Sequence, residues 1–233
     1  MLLETHPMPP LSAAAIENYI ERYLAVYIPQ HLTAPRRLMM EDMERAVWNS
    51  HGCKIVLVEE YFLESIEAQT NFLENRIEIT EKFMIDFENE HPRNRYTLAH
   101  EISHVILHSK VAMQLASLAA RRNTQRPIKT YENGEWQAEH AAGALLMPAV
   151  TLLPFLCALY EANFSDREIV PEIKDTYGVS VRAAEARIRA VLKLNMEQKR
   201  GEIIKNKALN AGNIQGLARL FQRSDESKEQ RNK

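Results

Sequence analysis

Arg95-Tyr96-Thr97-Leu98-Ala99-His100-Glu101-Ile102-Ser103-His104 is the stretch from which the rest of the chain is best read. Leu98, Ile102, Val105 and Ile106 recur at helical spacing, which predicts an amphipathic helix reaching His108 or a little beyond. Inside it, His100-Glu101-Ile102-Ser103-His104 fits the pattern H-E-x-x-H. Two histidines four apart lie on one helix face about 6 Å apart along the axis, so both imidazoles can reach one Zn2+. Glu101, beside the first of them, can take a proton from an attacking water and later hand it to a leaving amine. A random arrangement of the eight histidines among the glutamates would give roughly 0.03 such matches per chain. The competing reading is a surface helix whose histidines bind nothing.

Zinc held with one open position needs a third protein ligand. His108 continues the stripe, but it lies about 12 Å along the axis from His100 and cannot share a small ion with it. It reads as a helix-end residue, favoured there by the helix dipole. The longer metzincin pattern fails, because Leu107 stands where Gly would be and Lys110 where a third His would be. The missing ligand must come from elsewhere in the chain. Glu135 opens a predicted helix over 135–147 that is rich in small residues, and Glu139 lies one turn further on. Such a pair could supply one ligand and one partner to a zinc-bound histidine. On spacing alone, both read equally well as solvated surface acids.

Upstream of the motif, a proline-rich opening to Pro10 reads as a flexible or extended arm. Ser12 can cap a helix carrying Ile16, Tyr19, Ile20, Tyr23, Leu24 and Tyr27, which Pro29 stops. A second helix is predicted from Pro35 to about Asn49, with Gly52 just past its end. Lys54–Val58, Arg76–Thr80 and Phe83–Phe87 then read as strands of a small sheet packed on these helices, with Phe83–Phe87 the candidate edge. An edge strand would suit a substrate that binds as an added strand. Asn89–Asn94 reads as the turn out of the sheet, Ser109–Ala120 as helical and Arg121–Gly134 as a polar loop.

Downstream, a short helix follows Pro148, and Ser165 to Leu194 has the rhythm of a helix-turn-helix, turning at Tyr177-Gly178-Val179 with Ser180 as a cap. Arg182, Arg187, Arg189 and Lys193 could meet phosphates there, although Asp175 and Glu185 dilute the patch. The last dozen residues are too polar to bury anything.

The bulk numbers bound the function. At 233 residues with a formal net charge of −2, the chain has no overall attraction for nucleic acid. Cys53 and Cys157 show no C-x-x-C spacing, so they read as buried apolar residues in a reducing cytosol. No secretory signal is visible at the N-terminus. Ala141–Tyr160 is uncharged over about twenty residues, long enough for a membrane span. Pro148, Pro154, Gly143 and the alanine content favour two buried helices broken near Pro148 instead. Of the other histidines, His140 reads as a rim or packing residue near the site, and Tyr131 could stabilise an oxyanion.

The motif run, with Glu135-Trp136-Gln137-Ala138 and then Leu145-Leu146-Met147-Pro148, resembles the ImmA/IrrE family of metallopeptidases over roughly residues 40 to 190. The resemblance implies that Glu135 is the third zinc ligand. It also implies a cytosolic protein of bacteria, phages or mobile elements that acts against a helix-turn-helix transcriptional repressor. Glu139 and Ala141 stand where that family often carries Asn and Phe, which implies altered packing under the site.

Together these readings give an α+β fold: a small mixed sheet packed on helices, an H-E-x-x-H active-site helix and a helical C-terminal extension. The expected divisions are an arm over 1–10, a metallopeptidase domain over 11–160, a helix-turn-helix-like extension over 161–220 and a disordered tail over 221–233. The expected site is one Zn2+ per chain on His100, His104 and Glu135, with Glu101 catalytic and Glu139 a candidate partner behind the ligands. The expected substrate is a partner repressor. The rival readings are a protein that inactivates its partner by binding alone, and a DNA-binding regulator acting through residues 165–194.

Overall fold

The computed structural model describes residues 6–59, 66–88, 91–117 and 128–199. Residues 1–5 of the expected arm, the Arg121–Arg126 part of the polar loop, the continuation of the extension beyond 199 and the tail lie outside these. The chain is α+β, mostly helical with one three-stranded mixed sheet.

Helix α1 (Ala13–Tyr27) begins where Ser12 Oγ accepts from Ala15 N at 3.2 Å, and it buries Ile16, Ile20, Tyr23 and Leu24 on one stripe. A 3-10 turn over Pro29–Leu32 follows. Helix α2 runs over Met40–His51, starting five residues later than expected. Leu38 is buried and its carbonyl accepts from the Arg95 guanidinium, so tertiary contacts keep the preceding residues out of the helix. Gly52 ends α2 in the left-handed region at φ 61°, where a side chain would be strained.

Strands β1 (Lys54–Val58), β2 (Ala68–Asn71) and β3 (Arg76–Thr80) form the sheet in the order β1-β3-β2. β3 pairs in parallel with β1, with Lys54 opposite Arg76, and antiparallel with β2, with Thr70 opposite Ile77. Phe83–Phe87 is not a strand. It lies in helix α3 (Glu81–Glu88), where Phe83 N donates to Thr80 Oγ1 at 3.1 Å. Phe83 and Phe87 sit one turn apart and are both buried, while Ile85 between them is exposed. The edge strand next to the motif helix is β2 instead.

Helix α4 (Pro92–Ser117) is continuous over 26 residues, about 39 Å at 1.5 Å per residue. Helix α5 (Gly134–Leu146) starts from Asn133, whose Oδ1 accepts from Trp136 N at 3.0 Å. It packs on both α4 and α1, and its Ala138, Ala141 and Ala142 are fully buried. Helix α6 (Ala149–Glu161) follows Pro148. Among the described residues no single helix is long and apolar enough to cross a membrane. Helices α5 and α6 pass on length and composition only as a pair, and they are bent by 59°.

Helices α7 (Asp166–Tyr177) and α8 (Val181–Lys199) make up the described part of the C-terminal extension. Gly178 closes α7 at φ 66°, and Ser180 Oγ accepts from Ala183 N at 3.1 Å to open α8. Ile169, Ile173, Tyr177, Ile188 and Val191 lie in the same hydrophobic core as Leu145, Leu152 and the motif helix's Leu98 and Ile102. The boundary expected near residue 160 therefore does not separate two cores. The described part of the arm is also held in place: Met8 is buried, and Met8 N and Leu11 N donate to Glu132 O and Tyr131 O at 2.8 and 2.9 Å.

A buried charge cluster ties α8 to the rest. Arg187 donates through Nη1 and Nη2 to the Glu17 carboxylate, the second bond being 2.8 Å, and through Nε to Met147 O at 2.8 Å. His140 Nε2 lies 3.0 Å from Glu17 Oε1. Burial alone would raise the Glu17 carboxyl, but the bonds from Arg187 and His140 outweigh it and bring it from 4.5 down to about 2. Ionised Glu17 thus stabilises the fold above pH 4.5, and that stability is lost as the pH falls through about 2. Glu17→Gln is expected to cost about 3 kcal/mol at pH 7. In urea unfolding, the gap between wild type and variant should close as the pH is lowered from 4.5; a gap independent of pH would contradict this account.

Candidate metal centre

Leu98, Ala99, Ile102, Val105 and Ile106 are buried, and this fixes the rotation of α4 about its axis. His100, Glu101 and His104 then lie toward β2 and α5. His100 Nε2 and His104 Nε2 are 3.0 Å apart, with their rings nearly perpendicular at 84°. Glu135, in the first turn of α5, brings Oε2 to 3.2 Å from His100 Nε2 and 3.5 Å from His104 Nε2. Metal–ligand bonds of about 2.0–2.1 Å in a tetrahedron require ligand atoms about 3.3 Å apart. The three separations bracket that value, so the group could hold a metal ion.

The protonation of the group points the same way. Hydrogen bonds with His100 and then His104 hold the Glu135 carboxyl far below its ordinary value. Burial works against a charged His100, yet the bond to Glu135, helped by the charges of Glu101, Glu135 and Glu139, raises its pKa above 6.5. A proton held between His100 and Glu135 thus lies where a cation would be.

Glu101 is held from the sheet. Thr70 Oγ1 donates to Glu101 Oε2 at 2.8 Å and also lies 3.1 Å from the Glu101 carbonyl. Thr70 was not among the expected site residues. It sits on β2, whose Ala-Gln-Thr-Asn sequence lacks the apolar alternation of a half-buried strand.

Glu139 is exposed, and its carbonyl accepts from Tyr96 Oη at 3.1 Å. Among the described residues no hydrogen bond joins its carboxylate to His100 or His104; it acts on His100 through charge. The side chain that partners one of the candidate ligands, His104, is instead His108. It is not a helix-end residue: it lies within α4, is buried, and places Nδ1 3.1 Å from His104 Nδ1. Its Nε2 lies 2.8 Å from Gln137 Oε1. Burial pushes the His108 imidazole down to about 4, so it is neutral at physiological pH. The signal available in the sequence was the third histidine of one stripe, flanked by apolar Val105 and Ile106, since a polar ring in that position needs a partner.

The other candidates fall away from the centre. His140 is committed to Glu17. Tyr131 is 40% exposed, with Lys129 Nζ over its ring at 5.6 Å, and only its carbonyl reaches the network behind the site. His31 is buried with Nε2 3.2 Å from Leu146 O, and His51 bonds Ser50. Neither Cys53 nor Cys157 is in a disulfide among the described residues, and burial raises the Cys53 thiol to about 11. Of the four basic residues expected to face phosphates, Arg187 is buried on Glu17 and Arg189 lies 3.9 Å from Glu185. Arg182 and Lys193 are exposed.

A helix bearing H-E-x-x-H, faced by a glutamate from a second helix beside a small sheet, defines a metallopeptidase-like domain. Residues 74–189 match the Peptidase M78 family, described as an IrrE N-terminal-like domain, and the chain belongs to that family. No curated protein matches the sequence. Among solved structures the chain is similar to a Mycobacterium tuberculosis transcriptional regulator, at 12% identity and a TM-score of 0.45. The likeness covers 76% of this chain and 46% of that one, so this chain spans about half the regulator's length.

Filling the centre with a divalent cation must displace the proton held there. In the metal-free protein, protonated His100 beside Glu135 contributes stability below pH 6.5, and this is lost as the pH rises through the raised value. Zn2+ affinity is therefore expected to climb with pH across that interval and then level off. Calorimetric titration of metal-stripped protein in two buffers of different ionisation enthalpy should give different heats, the difference measuring the protons released. Equal heats would contradict the shared-proton description.

Proposed function

We propose that the chain is a zinc-dependent metalloendopeptidase, with one Zn2+ held by His100, His104 and Glu135, that cuts a partner protein. The observation that supports this best is the convergence of three ligand atoms within 3.5 Å of one another, beside a glutamate oriented by a separate element. Zinc at such a centre would polarise a peptide carbonyl and lower the pKa of water. The chain's own residues would do the rest. Glu101 takes the proton of the attacking water, and Thr70 steadies its carboxylate by a hydrogen bond to Oε2. The same carboxyl then donates that proton to the departing amine.

β2 is the edge of the sheet beside α4, and Thr70 on it reaches Glu101. An extended segment adding to β2 would run past the carboxylate, the role first expected for Phe83–Phe87. The partner we propose is a helix-turn-helix transcriptional repressor, whose cleavage would derepress a stress response or a mobile element. A cytoplasmic setting fits both that partner and two cysteines that form no disulfide among the described residues. DNA binding through residues 165–194 is the weaker reading, because Arg187 is spent on Glu17 and Arg189 faces Glu185.

Glu101→Gln tests the enzyme reading against inactivation by contact alone. Zinc content measured by plasma mass spectrometry should stay at one per chain, while cleavage of a helix-turn-helix repressor encoded beside this gene falls at least about 100-fold. A variant that neutralises the repressor as well as wild type does would sink the proteolytic reading.

A further inference from the structure

Behind the centre runs a chain of buried polar groups whose donors and acceptors can be followed from its far end. It ends on two carbonyls, which can only accept. Gln137 is fully buried, and its Nε2 donates to Pro9 O at 2.9 Å and to Tyr131 O at 2.7 Å. The orientation of its amide is therefore fixed, and Oε1 is the atom turned to His108 Nε2 at 2.8 Å. An amide oxygen cannot donate, so His108 carries its proton on Nε2. If His104 gives its Nε2 lone pair to a metal ion, its own proton sits on Nδ1, and the facing His108 Nδ1 must offer a lone pair. His104 Nδ1, 3.1 Å away, is then the donor. Its Nε2 is the atom that faces His100 and Glu135.

The far end of this chain is not part of the motif. Pro9 belongs to an N-terminal segment held against the turn before α5 by Met8 N to Glu132 O and Leu11 N to Tyr131 O. The Met8 side chain is buried against Ala112, with Phe72 and Val111 packed around it. We infer that His108 and Gln137 are positioning residues that hold His104 in its metal-binding tautomer, and that docking of the segment around Met8 to Leu11 tightens the metal centre through them. This rests on the three-ligand reading of the centre, but not on what the protein cuts.

Two measurements on the full chain test it. In metal-free wild type, long-range nitrogen–proton NMR of the histidine rings should find His104 protonated at Nδ1 and His108 at Nε2; the opposite tautomers overturn the inference without any variant. Zn2+ affinity is then read by competition with a chromophoric chelator. Gln137→Met is expected to weaken it about 10- to 100-fold, and Met8→Asp, which expels the segment and with it the Pro9 carbonyl while leaving His108 and Gln137 in place, about 10-fold. Gln137→Met combined with His108→Leu should bind no more weakly than His108→Leu alone, because both break one chain. Losses that multiply, or a Gln137→Met protein that binds as wild type while His104→Ala has lost zinc, overturn this inference and leave the centre standing. A wild-type chain that takes up no zinc overturns both.

Discussion

Glu135 reaches two histidines on another helix only because α4 and α5 lie close together, and that closeness comes from side-chain size. Ala138, Ala141 and Ala142 are fully buried on the face that α5 turns inward. A bulkier residue at any of them would have to displace packed neighbours, and a carboxylate at the first turn of α5 has little reach to spare. The constraint extends outward. Asn133 fixes where α5 begins, and Leu98, Ile102 and Val105 fix how α4 is turned. The sheet then holds Glu101 from the other side through Thr70. The centre is thus set on helices and an edge strand, elements stiff enough to keep ligand atoms at fixed separations.

The parts of this arrangement written in local sequence were legible. The spacing of His100, Glu101 and His104, the runs Lys54–Val58 and Arg76–Thr80, the Ser12 cap and the Gly52 and Gly178 stops all depend on residues a few positions apart. What failed depended on partners far away in the chain. Phe83, Ile85 and Phe87 alternate as a strand would, but Phe83 and Phe87 also lie one helical turn apart, and Thr80 at the N-terminus settles the matter. β2 was invisible because its polar side chains are satisfied on two faces: Gln69 and Asn71 on Glu78, Thr70 on Glu101. His108 and Gln137 likewise look ordinary until α4 and α5 are brought together.

Charge placement shows the same division. Arg187 looks like a phosphate contact in a helix-turn-helix pattern, yet it is buried against Glu17, 170 positions away in sequence. That pair, with His140, joins the first helix, the α5 that carries Glu135 and the C-terminal α8. The extension shares the core of the metallopeptidase-like domain, so its rhythm reflects packing as much as any docking role. The N-terminal segment, which reads as a loose arm, is bonded to the turn that launches α5. Both ends of the described chain thereby converge on the helix that carries Glu135.

The central claim is a metal centre built from one helix's two histidines and another helix's glutamate. Anomalous diffraction at the zinc edge from crystals grown with Zn2+ tests it most directly. One peak is expected, about 2.0–2.1 Å from His100 Nε2, His104 Nε2 and a Glu135 carboxylate oxygen. A peak that excludes Glu135, recruits His108, or lies elsewhere on the chain would contradict the account.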